Sequence, residues 1–122
     1  MSSSSTTDLP VLVVISADPR STHRANEAMR IGLGIVSGEN DVTFVLIGPA
    51  AHLLDEDTDA LVDGDDIAKF RGSLRALGIP FHVEADAMPQ DTDWNVEDHP
   101  VVAVSRDEVA ELLRCGRRYV VF

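Results

Sequence analysis

Cys115 is the only cysteine of the 122 residues, so any thiolate chemistry of this chain must pass through it. A thiolate can attack a sulfur donor, hold the outer sulfur as a persulfide and surrender it later, a part that neither a carboxylate nor a thioether can take. The pattern around Cys115 places it at the end of a helix, just before Gly116. There the helix dipole disfavours a thiolate, while Arg114, Arg117 and Arg118 favour one. Unpaired cysteine most often serves as a small buried hydrophobe, and that is the expectation for Cys115. His82 and Glu84 form the second candidate. They stand two apart in a strand pattern, so their side chains share a face and could act as an acid/base pair. Two polar neighbours on the wet face of a strand are the plain alternative.

A third constellation lies in residues 16–24, after the first apolar run. A helix start at the carboxyl end of a strand offers free N–H groups and positive potential to an anion. Asp18, Arg20, Ser21, Thr22, His23 and Arg24 are the candidate ligand-binding residues there. Ser and Thr at that point are equally expected as helix caps, and the segment has neither the G-x-G-x-x-G nor the P-loop spacing. The acidic run from Asp55 puts carboxylates at positions 1, 3, 5, 9 and 12 of an EF-hand-like loop, ending at Asp66. Ala60 replaces the turn glycine and aspartate the final glutamate, so a solvated acidic loop is the better reading and no metal is expected. His23, His52, His82 and His99 show none of the paired spacings of a zinc site. No cofactor motif is present.

These residues are positioned by an alternation of strands and helices. Val11–Ile15 is a continuous β-branched run, as in a strand covered on both faces. Ser21 or Thr22 is expected to cap the next helix, whose Ala25, Ala28, Met29, Gly32, Ile35 and Val36 recur at helical spacing before Gly38. The small residues on that face allow a close approach to the sheet. Residues 42–47 form a second strand. A second helix starts at Asp65 or Asp66, with Ile67, Phe70, Leu74 and Leu77 in one stripe before Gly78. In residues 79–84, Ile79, Phe81 and Val83 alternate with Pro80, His82 and Glu84, and Pro80 favours an edge strand or a strand's start. Residues 101–104 make a fourth strand, Ser105 and Glu108 a capping box, and Val109, Leu112 and Leu113 a buried stripe. Residues 119–122 supply a fifth strand. Trp94, the only tryptophan, is expected to pack within the long polar loop between the third and fourth strands. The sum is an α/β protein, a three-layer α/β/α sandwich on a mostly parallel five-stranded sheet.

Length and composition set the remaining bounds. The chain is the size of one domain, 44% hydrophobic and 25% charged, with residues 1–8 as a disordered Ser/Thr-rich tail and 9–122 as the domain. A net charge of −11 excludes nucleic acid and anionic membranes as partners. The carboxylates are mostly aspartate and Lys69 is the only lysine, a balance that fits either a high-salt source or a GC-rich coding bias. No signal peptide and no apolar run of membrane length is visible, and one cysteine suits a reducing compartment, so a cytoplasmic location is expected.

Three stretches together resemble the DsrE/DsrF/DsrH-like sulfur-relay family. They are the strand, turn and Ala-rich helix over residues 16–35, the strand Val42-Thr43-Phe44-Val45-Leu46-Ile47-Gly48, and Leu77-Gly78-Ile79-Pro80-Phe81-His82-Val83 before the loop. The resemblance implies a DsrE/flavodoxin-like fold and a small cytoplasmic homo-oligomer. In several members of that family a cysteine just after the third strand carries sulfur as a persulfide. Here that position falls at or near Glu84, within Glu84-Ala85-Asp86-Ala87-Met88, where no thiol stands. Three roles follow. The first is a non-catalytic binding or scaffold subunit beside a sulfur-relay partner protein. The second is a sulfur carrier or enzyme using Cys115 or the His82/Glu84 face. The third is a protein binding a small anionic ligand or nucleotide at residues 16–24.

Overall fold

The computed structural model describes residues 11–38, 41–90, 93–115 and 118–122. The tail assigned to residues 1–8 lies outside them, as do Gly116 and Arg117 beside Cys115. Strand β1 (Val11–Ile15) leads into helix α1 (Arg24–Ser37), β2 (Val42–Leu46), α2 (Gly64–Ala76), β3 (Phe81–Glu84), β4 (Val101–Val104), α3 (Arg106–Arg114) and β5 (Tyr119–Val121). Short 3-10 segments at Gly48–Leu54, Thr58–Ala60 and Ala85–Ala87 lie in the connections. The sheet order is β4-β3-β2-β1-β5 and every pairing is parallel.

The alternation along each strand sorts the core into two layers. Val13, Ile15, Phe44, Leu46, Phe81 and Val83 point to the face covered by α1 and α2. Leu12, Val14, Val45 and Val104 point to the other face, where Val109, Leu112 and Leu113 of α3 meet them. These are the three layers of an α/β/α sandwich. The helix α1 approaches the sheet closely because its inner face is small. A Cβ added at Gly32 would run into the ring of Phe44.

Several local expectations shift. Helix α1 begins at Arg24 with His23 at its N-cap and no side-chain cap, while Thr22 Oγ1 accepts from the Arg24 N–H at 3.3 Å. Helix α2 begins at Gly64 after Asp63, which adopts φ 58°, and not at Asp65 or Asp66. Leu77 closes that helix and is exposed, so Ile67, Arg71 and Leu74 form the buried stripe. Pro80 stands immediately before β3, at a strand start. The strand is not an edge, because β2 and β4 flank it. Its polar residues are consequently less wet than the alternation suggests, and Glu84 is buried.

The order of strands fixes where a ligand can sit. The connection leaving β3 packs on the α1/α2 side through Ala87, Met88 and Trp94, whereas β4 feeds α3 on the opposite side. Neighbouring strands whose connections diverge to opposite faces leave a crevice at their carboxyl ends. That crevice opens beside Glu84.

Candidate functional site

Glu84 is the last residue of β3, and its carboxylate is held from two sides. The Gly48 N–H donates to Oε1 at 3.0 Å and the Arg106 Nε to Oε2 at 2.7 Å. Gly48 follows β2 with φ 57°, a left-handed conformation open to glycine at little cost, and starts the 3-10 segment with Pro49 next to it. Arg106 is the first residue of α3. Its position is set by the capping box before it, in which Ser105 Oγ accepts from the Glu108 N–H at 3.1 Å and Glu108 Oε1 accepts from the Ser105 N–H at 2.8 Å. The carboxylate side chain is 5% exposed and the arginine side chain 83%. Arg106 first, and the Gly48 N–H second, hold the Glu84 carboxyl below its ordinary range against the opposing effect of burial.

These groups line a cavity of about 350 Å³ together with Pro49, His52, Asp86 and Ala87. His52 projects from the 3-10 segment and pairs through Nδ1 with Asp55 at 2.9 Å. The segment is pinned from behind. Buried Arg71 donates to the carbonyls of Leu53 at 3.0 Å and Asp55 at 2.7 Å, and Trp94 Nε1 donates to the Ala51 carbonyl at 2.7 Å. Trp94 thus packs against the core, as its apolar body requires.

The 16–24 loop lies next to this site but is occupied by its own contacts. Arg20 grips Asp18 through Nε at 3.0 Å and Nη2 at 2.9 Å, and the Arg20 N–H donates to the same carboxylate. That grip lowers the Asp18 carboxyl below its ordinary range, with a smaller contribution from His52 across the gap. Ser21 and Thr22 donate their N–H groups to the Asp18 carbonyl, and His23 pairs with Glu27 at 3.0 Å. Arg20 and His23 are therefore already engaged with carboxylates. Asp55 turns to His52 and does not join the acids of the 55–66 segment, of which Asp59, Asp63, Asp65 and Asp66 line a separate hollow with Gly64.

His82 and Glu84 face the same side of the sheet but line different cavities. His82 opens, with Val102, Val104, Glu108, Glu111, Leu112 and Cys115, on a groove of about 340 Å³ alongside α3. Cys115 is exposed, contrary to its expected burial, because it caps the short helix α3 two residues past the Val109–Leu112–Leu113 stripe. Arg114 beside it is paired with Glu111 at 3.0 Å. The residues that complete the Glu84 site, Gly48, His52 and Arg106, carry weak signals in the sequence. A Gly-Pro after a strand and an arginine inside a capping box mark the carboxyl ends of β2 and β4, but nothing local links either to Glu84.

No family model and no curated protein matches this chain. Among solved structures, the YchN protein from E. coli superposes with a TM-score of 0.75 over 93% of this chain and 99% of that one, at 13% sequence identity. Identity at that level shows the fold alone, the DsrE-like three-layer sandwich on a parallel five-stranded sheet.

Proposed function

We propose that this chain is a non-catalytic binding or scaffold subunit, built on the fold of sulfur-relay proteins, which binds at the Glu84 cavity and does not itself carry sulfur. One observation supports this above the others. Where the family resemblance puts a sulfur-carrying thiol, a buried carboxylate is locked by a main-chain N–H and an arginine. A carboxylate has no polarisable sulfur to attack a donor and hold the outer sulfur, as persulfide relay requires. The cavity gives the fold a binding role at the crevice where α/β sheets hold ligands. The subunit works as a homo-oligomer in the cytoplasm. Support for the oligomer comes from β5, an outer strand whose Tyr119, Val120 and Val121 are all exposed. Among the described residues no helix is long and apolar enough to cross a membrane.

Exposure of Cys115 beside His82 favours a second reading, in which that thiol is the sulfur carrier. Intact mass after exposure to a polysulfide donor, followed by an acceptor thiol, separates the two. The binding reading expects no sulfur that passes from the protein to the acceptor. Transfer of one sulfur by wild type, absent in Cys115→Ser, sinks it.

A further inference from the structure

The two partners of the Glu84–Arg106 pair are unequal. The carboxylate is buried, anchored to the Gly48 N–H and fixed on an interior strand. The guanidinium hangs on a long side chain that is 83% exposed. Of the two, only the exposed arginine can leave, since its guanidinium can return to water while the carboxylate stays in place. A buried carboxylate cannot be left without a partner, because its desolvation is then uncompensated. Whatever displaces Arg106 must therefore bring its own positive charge or strong donors to the same oxygen.

The surroundings point the same way. Asp86 lines the cavity and adds to the negative field felt by Arg106. The His52 ring is engaged with Asp55, and the neighbouring Arg20 with Asp18. An anion entering here would have to detach Arg106 from Glu84 and then lie beside Asp86, in a protein of net charge −11. A cation would be drawn in by the same charge. The cavity, about 350 Å³, is at the small end of ligand pockets, which suits a compact molecule.

We infer that the Glu84 cavity is a receptor for a small organic cation, a guanidinium or primary ammonium group that takes the place of the Arg106 side chain on the carboxylate, with Asp86 as its second acidic contact. A guanidinium N–H suits the outer carboxylate oxygen, since Arg106 Nε donates to Oε2 while the Gly48 N–H keeps Oε1. This assignment rests on the reading of the cavity as the binding site and names its ligand class.

The test is a titration of methylguanidinium chloride into 15N-labelled protein, at ionic strength matched with sodium chloride, following the Gly48 amide. Arg106→Ala, which removes an exposed side chain, should bind the probe at least about tenfold more tightly than wild type, with saturable shifts at Gly48, Asp86 and Ala87. Adding Glu84→Gln to that variant should abolish the binding. Equal affinity in wild type and Arg106→Ala overturns the inference, and so does binding that survives loss of the Glu84 charge. Should the double variant not fold, shifts of the single variant centred away from Gly48 and Ala87 overturn it, and shifts confined to them support it. A parallel titration of wild type with methyl phosphate separates failure of the cation from failure of the cavity as a binding site. Saturable, Arg106-dependent shifts at Gly48 with the phosphate overturn the cation while leaving the cavity as the binding site, whereas sulfur relay through Cys115 removes the binding reading itself.

Discussion

A single hydrogen-bonded carboxylate decides the character of this molecule's crevice, and it has a measurable pH signature. Glu84 titrates from about 4.5 in the unfolded chain to a lower value in the fold, chiefly through Arg106. The unfolded state therefore takes up the proton first, so the stabilisation is complete above about 4.5 and is lost as pH falls through the folded value. The Gly48 amide shift should follow this titration below pH 4.5, and Arg106→Ala should move its midpoint upward. A midpoint unchanged by that substitution would show that Arg106 does not hold the carboxylate. His99 behaves in the same sense for a different reason. It is buried, its Nε2 meets the Ile79 carbonyl at 2.9 Å, and its ring packs on Phe81 at 4.6 Å. Burial, reinforced by Arg75 and Arg71, pushes its pKa below 6.5, so neutral His99 stabilises the fold above that pH and the gain is lost as pH falls through the folded value. Urea midpoints should fall between pH 7 and pH 5.5, and a His99→Leu variant should show a shallower slope; an identical slope would place the effect elsewhere.

At the scale of elements, α1 offers a controlled comparison between two glycines two residues apart, on opposite sides of the helix. Gly32 faces Phe44 with no room for a methyl group, whereas Gly34 has nothing within 4 Å. Gly32→Ala should destabilise by about 1–3 kcal/mol through overpacking. Gly34→Ala should stabilise by about 0.5–1 kcal/mol through helix propensity. Denaturation midpoints that move in the same direction for both would refute the close approach of α1 to the sheet. Ser105→Ala should cost about 1 kcal/mol and loosen the first turn of α3 that carries Arg106, visible as faster amide exchange at Glu108. The elements themselves were legible from the residues, since continuous β-branched runs and helical stripes are local. The placement of β3 was not. Phe81, His82, Val83 and Glu84 alternate as a half-wet strand does, and Glu84 can be buried only because Arg106, 22 residues on, supplies its charge. Cys115 misled for the opposite reason. Apolar Leu112 and Leu113 suggest a continuing stripe, yet α3 ends at Arg114 and its cap residue turns to solvent.

For the whole molecule, a net charge of −11 on a domain this small means self-repulsion that salt screens. The melting temperature should rise between 0.05 M and 0.5 M sodium chloride, a range over which the Debye length falls from about 14 Å to about 4 Å. A fall would show that the exposed pairs Arg20–Asp18 and Arg114–Glu111 outweigh the repulsion. Salt should likewise favour the proposed homo-oligomer, which sedimentation at the two ionic strengths can check. The strand order carries a further consequence, in time. β1 is interior only through its outer neighbour β5, and the two are joined by the Leu12 N–H to Arg118, the Phe122 N–H to Val14, and Ser16 to Phe122 across 106 residues. During synthesis β1 can pair with β2 as soon as α1 exists, but one whole side of it waits for residues 118–122. Long-range closure of that kind is slow. From the pairing of β1 with β2 until β5 arrives, β1 is therefore the open edge of the growing sheet, and that interval is when a chaperone has something to hold.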